Sequence, residues 1–350
     1  MQLRIFLTVS SLAIGCGPAA PKPRPPDRDA PDRSASIANG EPVAAGASLP
    51  APPVGFATSD LVTLVGGELT AWAITDGKLV KAGSATIAKL ADADIAEASA
   101  VWGLGNGGWV DRDHLFVTIG HGQVVMVTAQ AITRVAVPPA SAFTAPKPAD
   151  PEGDMQPGVG SELSPHGLVI TAGEAYWSEC AWGQPYDGFQ CSTWVHARLW
   201  PTAAIDRREA PIAARSWPWS AAPAGYTAKV TGRAVACTGP KSKSRIPAGT
   251  GADDPDGGEE IESTQWVSAD PPRLLVSYGH AGLADVIPER WTLHEGCIVA
   301  PLASGLTATP GPSGLWLGVT SEDRGATLYR GARIIGELPH NASVWLRPAK

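Results

Sequence analysis

One pattern occurs twice in this chain: Trp109-Val110, then Leu115-Phe116-Val117-Thr118-Ile119-Gly120-His121, recurs as Trp266-Val267, then Leu274-Leu275-Val276-Ser277-Tyr278-Gly279-His280. Weaker echoes run from His166 to Gly173 and from Gly314 to Thr320, the latter followed by Ala326 to Arg330. Around them, β-branched, aromatic and aliphatic runs alternate with Gly, Pro, Asp or Asn at intervals of about 8 to 12 residues, the spacing of hairpins. Self-similarity in a strand-forming sequence points to a repeat of small sheets. Leu61 to Val65, Gly66-Gly67, Leu69 to Ile74, Asp76-Gly77 and Lys78 to Val80 predict a three-stranded meander, because both turns carry residues that tolerate positive φ. Thr86 to Ala100 is alanine-rich and acidic, and is expected to be a long connection with some helix.

A tryptophan strand, a turn with aspartate, an LxVxxG strand and then two more strands around a polar turn resemble a blade of a β-propeller. Val124 to Val127 with Thr133 to Val137, and Thr327 to Tyr329 with Ile334 to Leu338, supply the outer strands. The Trp-Asp endings of the best-marked propeller family are absent. The resemblance implies an all-β, propeller-like domain over residues 57 to 350, with six or seven blades at about 42 to 50 residues each. Leu61 to Val65 is expected to pair beside Ser343 to Leu346 and close the ring.

The chain begins with a short basic start, an apolar run from Ile5 to Ile14, and Gly15-Cys16. That run is far shorter than the roughly 20 residues of a membrane-spanning helix. The segment resembles the export signals of bacterial lipoproteins, although Ala13 stands where that family prefers a larger aliphatic residue. The resemblance implies removal of residues 1 to 15 and lipidation of Cys16. Gly17, rather than aspartate, after the cysteine implies the outer membrane. Several acyl chains, at about 0.8 kcal/mol per buried CH₂, would anchor the protein persistently.

Residues 16 to 56 are proline-rich, with Lys22, Arg24, Arg28 and Arg33 balanced by Asp27, Asp29, Asp32 and Glu41. Such a stretch cannot build a core and is expected to be a disordered stalk. The chain's net charge is −7, and the acidic excess lies beyond the stalk. Nucleic acid is therefore not an expected partner.

Four cysteines follow Cys16: Cys180, Cys191, Cys237 and Cys297. In an exported chain an even number reads as disulfides. Three pairings exist. Cys180 with Cys191 and Cys237 with Cys297 is favoured, because the first two flank a Gly, Pro and aromatic loop between strand-like runs. No CxxC pair occurs, so no metal site is expected on these thiols, and no repeated aspartate, glycine and tryptophan docking motif is present, so no quinone or other cofactor is expected.

The 13 tryptophans outnumber the 5 tyrosines and 5 phenylalanines. Tryptophan serves as core filler or as a stacking platform, and core is the simpler expectation. The loop from Trp177 through Trp182 to Tyr186, with Phe189, Trp194 and Trp200 nearby, is the leading ligand-binding candidate. His121 and His280 hold matching places in the repeat, and are a second candidate if propeller corners bring them to one opening.

Asp253, Asp254, Asp256, Glu259 and Glu260 concentrate carboxylates, but their register does not fit a calcium loop. They are read as an exposed insertion, and with the basic Lys241 to Arg245 as part of a mobile loop from about 239 to 262. Gly103 to Gly108 lacks the lysine and flanking elements of a phosphate loop, and is read as the turn before Trp109. GxSxG, HExxH, SxxK and GK[ST] are all absent, so no catalytic residue is assigned and enzymatic activity is not the leading expectation. The chain reads as a lipid-anchored envelope module that binds or scaffolds a protein or glycan. The alternative is a hydrolase or lyase with acids and bases at the central opening.

Overall fold

The computed structural model describes residues 49–87, 107–120, 123–149, 154–159, 166–184, 190–208, 210–248, 259–280, 287–319, 325–339 and 342–349. They form 24 strands in six antiparallel sheets that follow one another along the chain. The first sheet opens with β1 (Leu61–Val65), β2 (Glu68–Thr75) and β3 (Lys78–Thr86). The second is β4 (Gly107–Trp109), β5 (Leu115–Gly120), β6 (Gln123–Val127) and β7 (Ile132–Val135). The third holds β8 (Gln156–Pro157), β9 (His166–Ile170), β10 (Ala175–Gln184), β11 (Gln190–Trp200) and β12 (Ala204–Arg208). The fourth has β13 (Thr227–Val230), β14 (Ala234–Gly239) and β15 (Ser242–Pro247), a strand paired with β14 where the sequence predicts a loop. The fifth is β16 (Glu259–Ala269), β17 (Pro272–His280), β18 (Ile287–Glu295) and β19 (Pro301–Gly305). The sixth is β20 (Thr307–Pro310), β21 (Leu315–Val319), β22 (Ala326–Arg330) and β23 (Arg333–Glu337). β24 (Ser343–Leu346) then returns to β1, with Leu61 opposite Leu346. The chain is thus all-β and propeller-like, and its last strand completes its first sheet as expected.

The repeat seen in the sequence is a repeat of strand pairing. Trp109 sits opposite Leu115 in the second sheet, and Trp266 opposite Leu274 in the fifth. The echo beginning at His166 is instead β9, a first strand, so it matches in composition and not in place. The meander turns are as expected: Gly66, Gly67, Asp76 and Gly77 all have positive φ, the conformation that tight hairpins require. Thr86 ends β3, and residues 88 to 106, which carry the expected helical connection, lie outside the described residues.

Alternating residues of each sheet bury themselves against the next sheet. Trp109, Val62, Leu115 and Trp345 join the first and second sheets. Phe116, Leu168, Trp177 and Ala197 join the second and third. Leu61, Leu315, Leu328 and Leu346 join the sixth to the first, and Leu275, Trp291, Trp316 and Tyr329 join the fifth and sixth. Val235, Ile246, Trp266 and Tyr278 join the fourth and fifth.

Most described tryptophans are core, as their size favours. Trp316 stacks on Tyr329 at 4.0 Å and receives Trp291 edge-on at 5.4 Å, arrangements worth about 0.5–1.5 kcal/mol beyond area burial. Phe56, at the end of the stretch read as stalk, is also buried in the first core.

The third sheet meets the fifth and sixth through a strand-free connection, residues 210–226. Its Ala210 carbonyl lies 3.3 Å from His196 Nε2, Ile212 packs on Val169 and Tyr176, and the Arg215 amide donates to the Ile170 carbonyl at 2.6 Å. Farther along, Trp219 faces Trp316 at 6.5 Å, Ser220 pairs with Trp266, and Tyr226 meets the Trp266 ring edge-on at 5.5 Å. The cores link the sheets in the order third, second, first, sixth, fifth, fourth, so this connection joins one end of that series to the other.

Candidate functional site

The turns that follow the first strands converge on one face. The Gly173 amide of the β9–β10 turn donates to the Val110 carbonyl of the β4–β5 turn, and Arg347, just past β24, donates from Nε to the Arg112 carbonyl. Gly311, before β21, packs so closely on Leu346 that an added Cβ would have to displace the Leu346 side chain. The connection at 210–226 reaches this same face.

The centre of the face is Val110-Asp111-Arg112-Asp113-His114. Asp111 Oδ1 accepts from the amides of Asp113 at 2.7 Å and His114 at 2.9 Å, an aspartate turn that fixes the backbone. The His114 ring donates from Nδ1 to the same carboxylate, 2.9 Å from both oxygens. A neutral ring so held presents Nε2 as an acceptor. Trp200, at the end of β11, lies 4.6 Å from the His114 ring.

Arg215 comes from the connection. Its Nη1 donates to the carbonyls of Trp109 at 3.1 Å and Val110 at 3.3 Å, and its guanidinium lies 4.2 Å from the Trp217 ring centroid. Burial pushes its pKa down and Asp111 pushes it back up; arginine stays a cation in either case. Extended backbone alternates its side chains, so Arg215, Trp217 and Trp219 turn inward and half-bury while Ser216 and Pro218 are exposed. At the rim Glu174 accepts from the Tyr176 hydroxyl at 2.7 Å and pairs with Arg198 at 3.3 Å.

Of the residues singled out in the sequence, Trp200 reaches this face, and the other described ones lie elsewhere. Cys180–Cys191 and Cys237–Cys297 are both bonded, the pairing favoured from the sequence. Trp177 is only 3% exposed and donates to Glu179 Oε1 at 2.9 Å within the core of the second and third sheets. Trp182 is half-buried and donates to the Ala145 carbonyl at 2.7 Å. Trp194 is buried. Burial raises the Glu179 carboxyl, opposed by Trp177 and His166. His121, Tyr186, Phe189 and the carboxylates from Asp253 to Asp256 lie outside the described residues. His280 ends β17, paired with Glu259 and Ile287.

Ser178 and His196 form a hydroxyl–imidazole pair at 2.7 Å, but both are fully buried. Among the described residues no group of three or more His, Cys, Asp or Glu could hold a metal, and no helix is long and apolar enough to cross a membrane.

The Asp111, His114, Arg215 and Trp217 cluster was not anticipated. Asp111 to His114 read as an ordinary turn, and residues 210–226 carry no strand pattern beyond the alternation of Arg215, Trp217 and Trp219. That alternation, polar or proline between large side chains, is the one sequence signal that marks the segment.

No known protein family matches the chain, and no curated protein does. Among solved structures it is similar to the WD40 beta propeller domain of Doa1, at 11% identity over 67% of this chain and 82% of that one, with a TM-score of 0.26.

Proposed function

We propose that this chain is a lipid-anchored extracytoplasmic binding module whose recognition surface is the face around Asp111, His114, Trp200, Arg215 and Trp217. The observation that carries the reading is the fixation of those side chains before any ligand arrives. Asp111 is held by two amides, His114 by Asp111, and Arg215 by two carbonyls, while Trp200 and Trp217 are only partly buried. Aromatic and arginine side chains dominate binding surfaces, and pre-ordering them lowers the entropic cost of association.

Two disulfides indicate an oxidising, extracytoplasmic compartment. Lipidation at Cys16 and attachment to the outer membrane rest on the lipoprotein-like start and the proline-rich segment after it. Binding is favoured over hydrolysis because, among the described residues, the side-chain partner of His114 is Asp111, and no Ser, Cys or second carboxylate bonds to its Nε2.

Two measurements test the reading. Metabolic labelling with a fatty acid should mark the wild type and not Cys16→Ala; undiminished label on the variant defeats the anchor. A photo-crosslinking residue at Asp113, which is 79% exposed, should form adducts with envelope material, and one at Val80 on β3 should not. Equal yields at both positions defeat the binding face.

A further inference from the structure

We infer that this face, granted the binding role above, takes a neutral pyranose oligosaccharide. Trp200 is backed by the His114 ring at 4.6 Å and Trp217 by the Arg215 guanidinium at 4.2 Å, and each ring keeps part of its surface in solvent. A tryptophan covered on one side and held there presents a flat apolar platform of fixed orientation. The C–H-rich face of a pyranose ring is a flat apolar surface of matching kind. A protein partner calls for a broader desolvated centre than two partly buried rings, since interface cores are depleted in charge and this one has charge in the middle.

The groups between the platforms define the polar half of the ligand. They form an unbroken series: Trp217 touches Arg215, Arg215 donates to the Val110 carbonyl, Asp111 follows in the chain, His114 donates to Asp111, and Trp200 lies on His114. Asp111 offers carboxylate lone pairs, and its side chain is 44% exposed. His114 offers Nε2, an acceptor when the ring is neutral and a donor when it is protonated. Arg215 offers the N–H groups beyond the Nη1 that serves the two carbonyls. A ligand here must both donate and accept, and a hydroxyl does both at one oxygen. Asp111 and Arg215 carry opposite charges, so an anionic sugar gains little over a neutral one. Apolar platforms flanking paired donors and acceptors of no net charge are complementary to a neutral polyol ring on each platform.

The test is calorimetric titration of the full chain with cellohexaose, chitohexaose and maltohexaose, supported by saturation-transfer NMR. The expected result is binding of at least one, weakened about tenfold or more by Trp217→Ala, since truncating an anchor costs on the order of 1–2 kcal/mol. Trp200→Phe, which keeps some of the packing against the core, and Asp111→Asn, which keeps the turn acceptor, should each weaken it several-fold. Trp72→Phe, on β2, should leave affinity unchanged, and the melting curve of Trp217→Ala should overlay the wild type. Binding of none of the three sugars, or binding indifferent to Trp217→Ala, Trp200→Phe and Asp111→Asn, overturns the assignment. Photo-crosslinking from Asp113 separates this failure from that of the parent reading. Adducts confined to proteins overturn the saccharide and leave the binding face standing, whereas no adducts overturn both.

Discussion

Arg347 lies over Trp109, its guanidinium carbon 4.8 Å from the ring centroid, although the two residues are 238 positions apart. From that position Nη1 donates to the carbonyls of Phe56, Ala57 and Ser59, and Nε to that of Arg112. One side chain thus ties the strand that completes the first sheet to the segment that precedes β1 and to the neighbouring sheet. Its side chain is 3% exposed, so burial lowers its pKa, followed by repulsion from Arg112 and opposed by nearby aspartates.

Arg347→Ala should therefore cost about 3 kcal/mol, because a buried, multiply bonded charge leaves its carbonyl acceptors unpaired when removed. Arg347→Lys should recover only part of this, since an ammonium cannot reproduce the fork. Asp113→Ala should cost less than about 1 kcal/mol, its carboxylate being solvent-screened. Denaturant titration monitored by tryptophan fluorescence gives all three; equal effects at Arg347 and Asp113 contradict the role given to Arg347.

The disulfides should differ in weight. Cys237–Cys297 closes 60 residues and fastens the three-stranded fourth sheet to the fifth, whereas Cys180–Cys191 closes 11 residues within one hairpin. Chain-entropy arguments give about 4 kcal/mol for the longer loop and about 3 kcal/mol for the shorter. Paired serine replacements compared by thermal unfolding should show Cys237→Ser with Cys297→Ser as the more damaging pair. The reverse order would mean that the hairpin and not the fourth sheet depends most on its crosslink.

His294 gives the fold a pH dependence. It is 1% exposed, spends Nδ1 on the Ile298 carbonyl and Nε2 on Thr292 Oγ1, and burial lowers its pKa against the opposing pull of the Ile298 and Val299 carbonyls. A group whose pKa falls on folding binds more protons in the unfolded chain. Its stability contribution is therefore complete above the unfolded value of about 6.5 and declines as pH drops through and below it. Stability curves between pH 7.5 and 5 should fall for the wild type and fall less for His294→Asn, which should start lower. Parallel slopes would remove His294 as the cause.

Arg215 should govern how firmly the 210–226 connection is held. Arg215→Ala removes the donor to the Trp109 carbonyl, while Val110 keeps the Gly173 amide. A loss of about 1–2 kcal/mol is expected, together with faster proteolytic cleavage within residues 210–226 and unchanged cleavage elsewhere. Cleavage rates that do not change would show that Ile212 and Trp219 hold the connection without it.

The parts of the fold that show in the sequence are those set by local chemistry and by repetition. The Gly66-Gly67 and Asp76-Gly77 turns, the matched Trp109 and Trp266 strands, the return of Ser343 to Leu346 onto Leu61, and the cysteine pairs all follow from turn residues, period and loop length. What did not show depends on tertiary placement. The aromatic hairpin has its Trp177 and Trp194 turned into the core because β10 and β11 are buried on both faces, a property that alternation alone does not reveal. Asp111 and His114 are unremarkable in sequence, and gain a role only because Arg215 and Trp217 arrive from a connection about a hundred residues later.

Hydrogen exchange of the full chain, with and without the tightest of the three hexasaccharides, tests the central claim most directly. The account predicts slowed exchange in residues 110–115, 171–174 and 211–220, with the β10–β11 hairpin around Trp182 unchanged. Protection confined to that hairpin, or absent from the turns around Asp111 and Arg215, would contradict it.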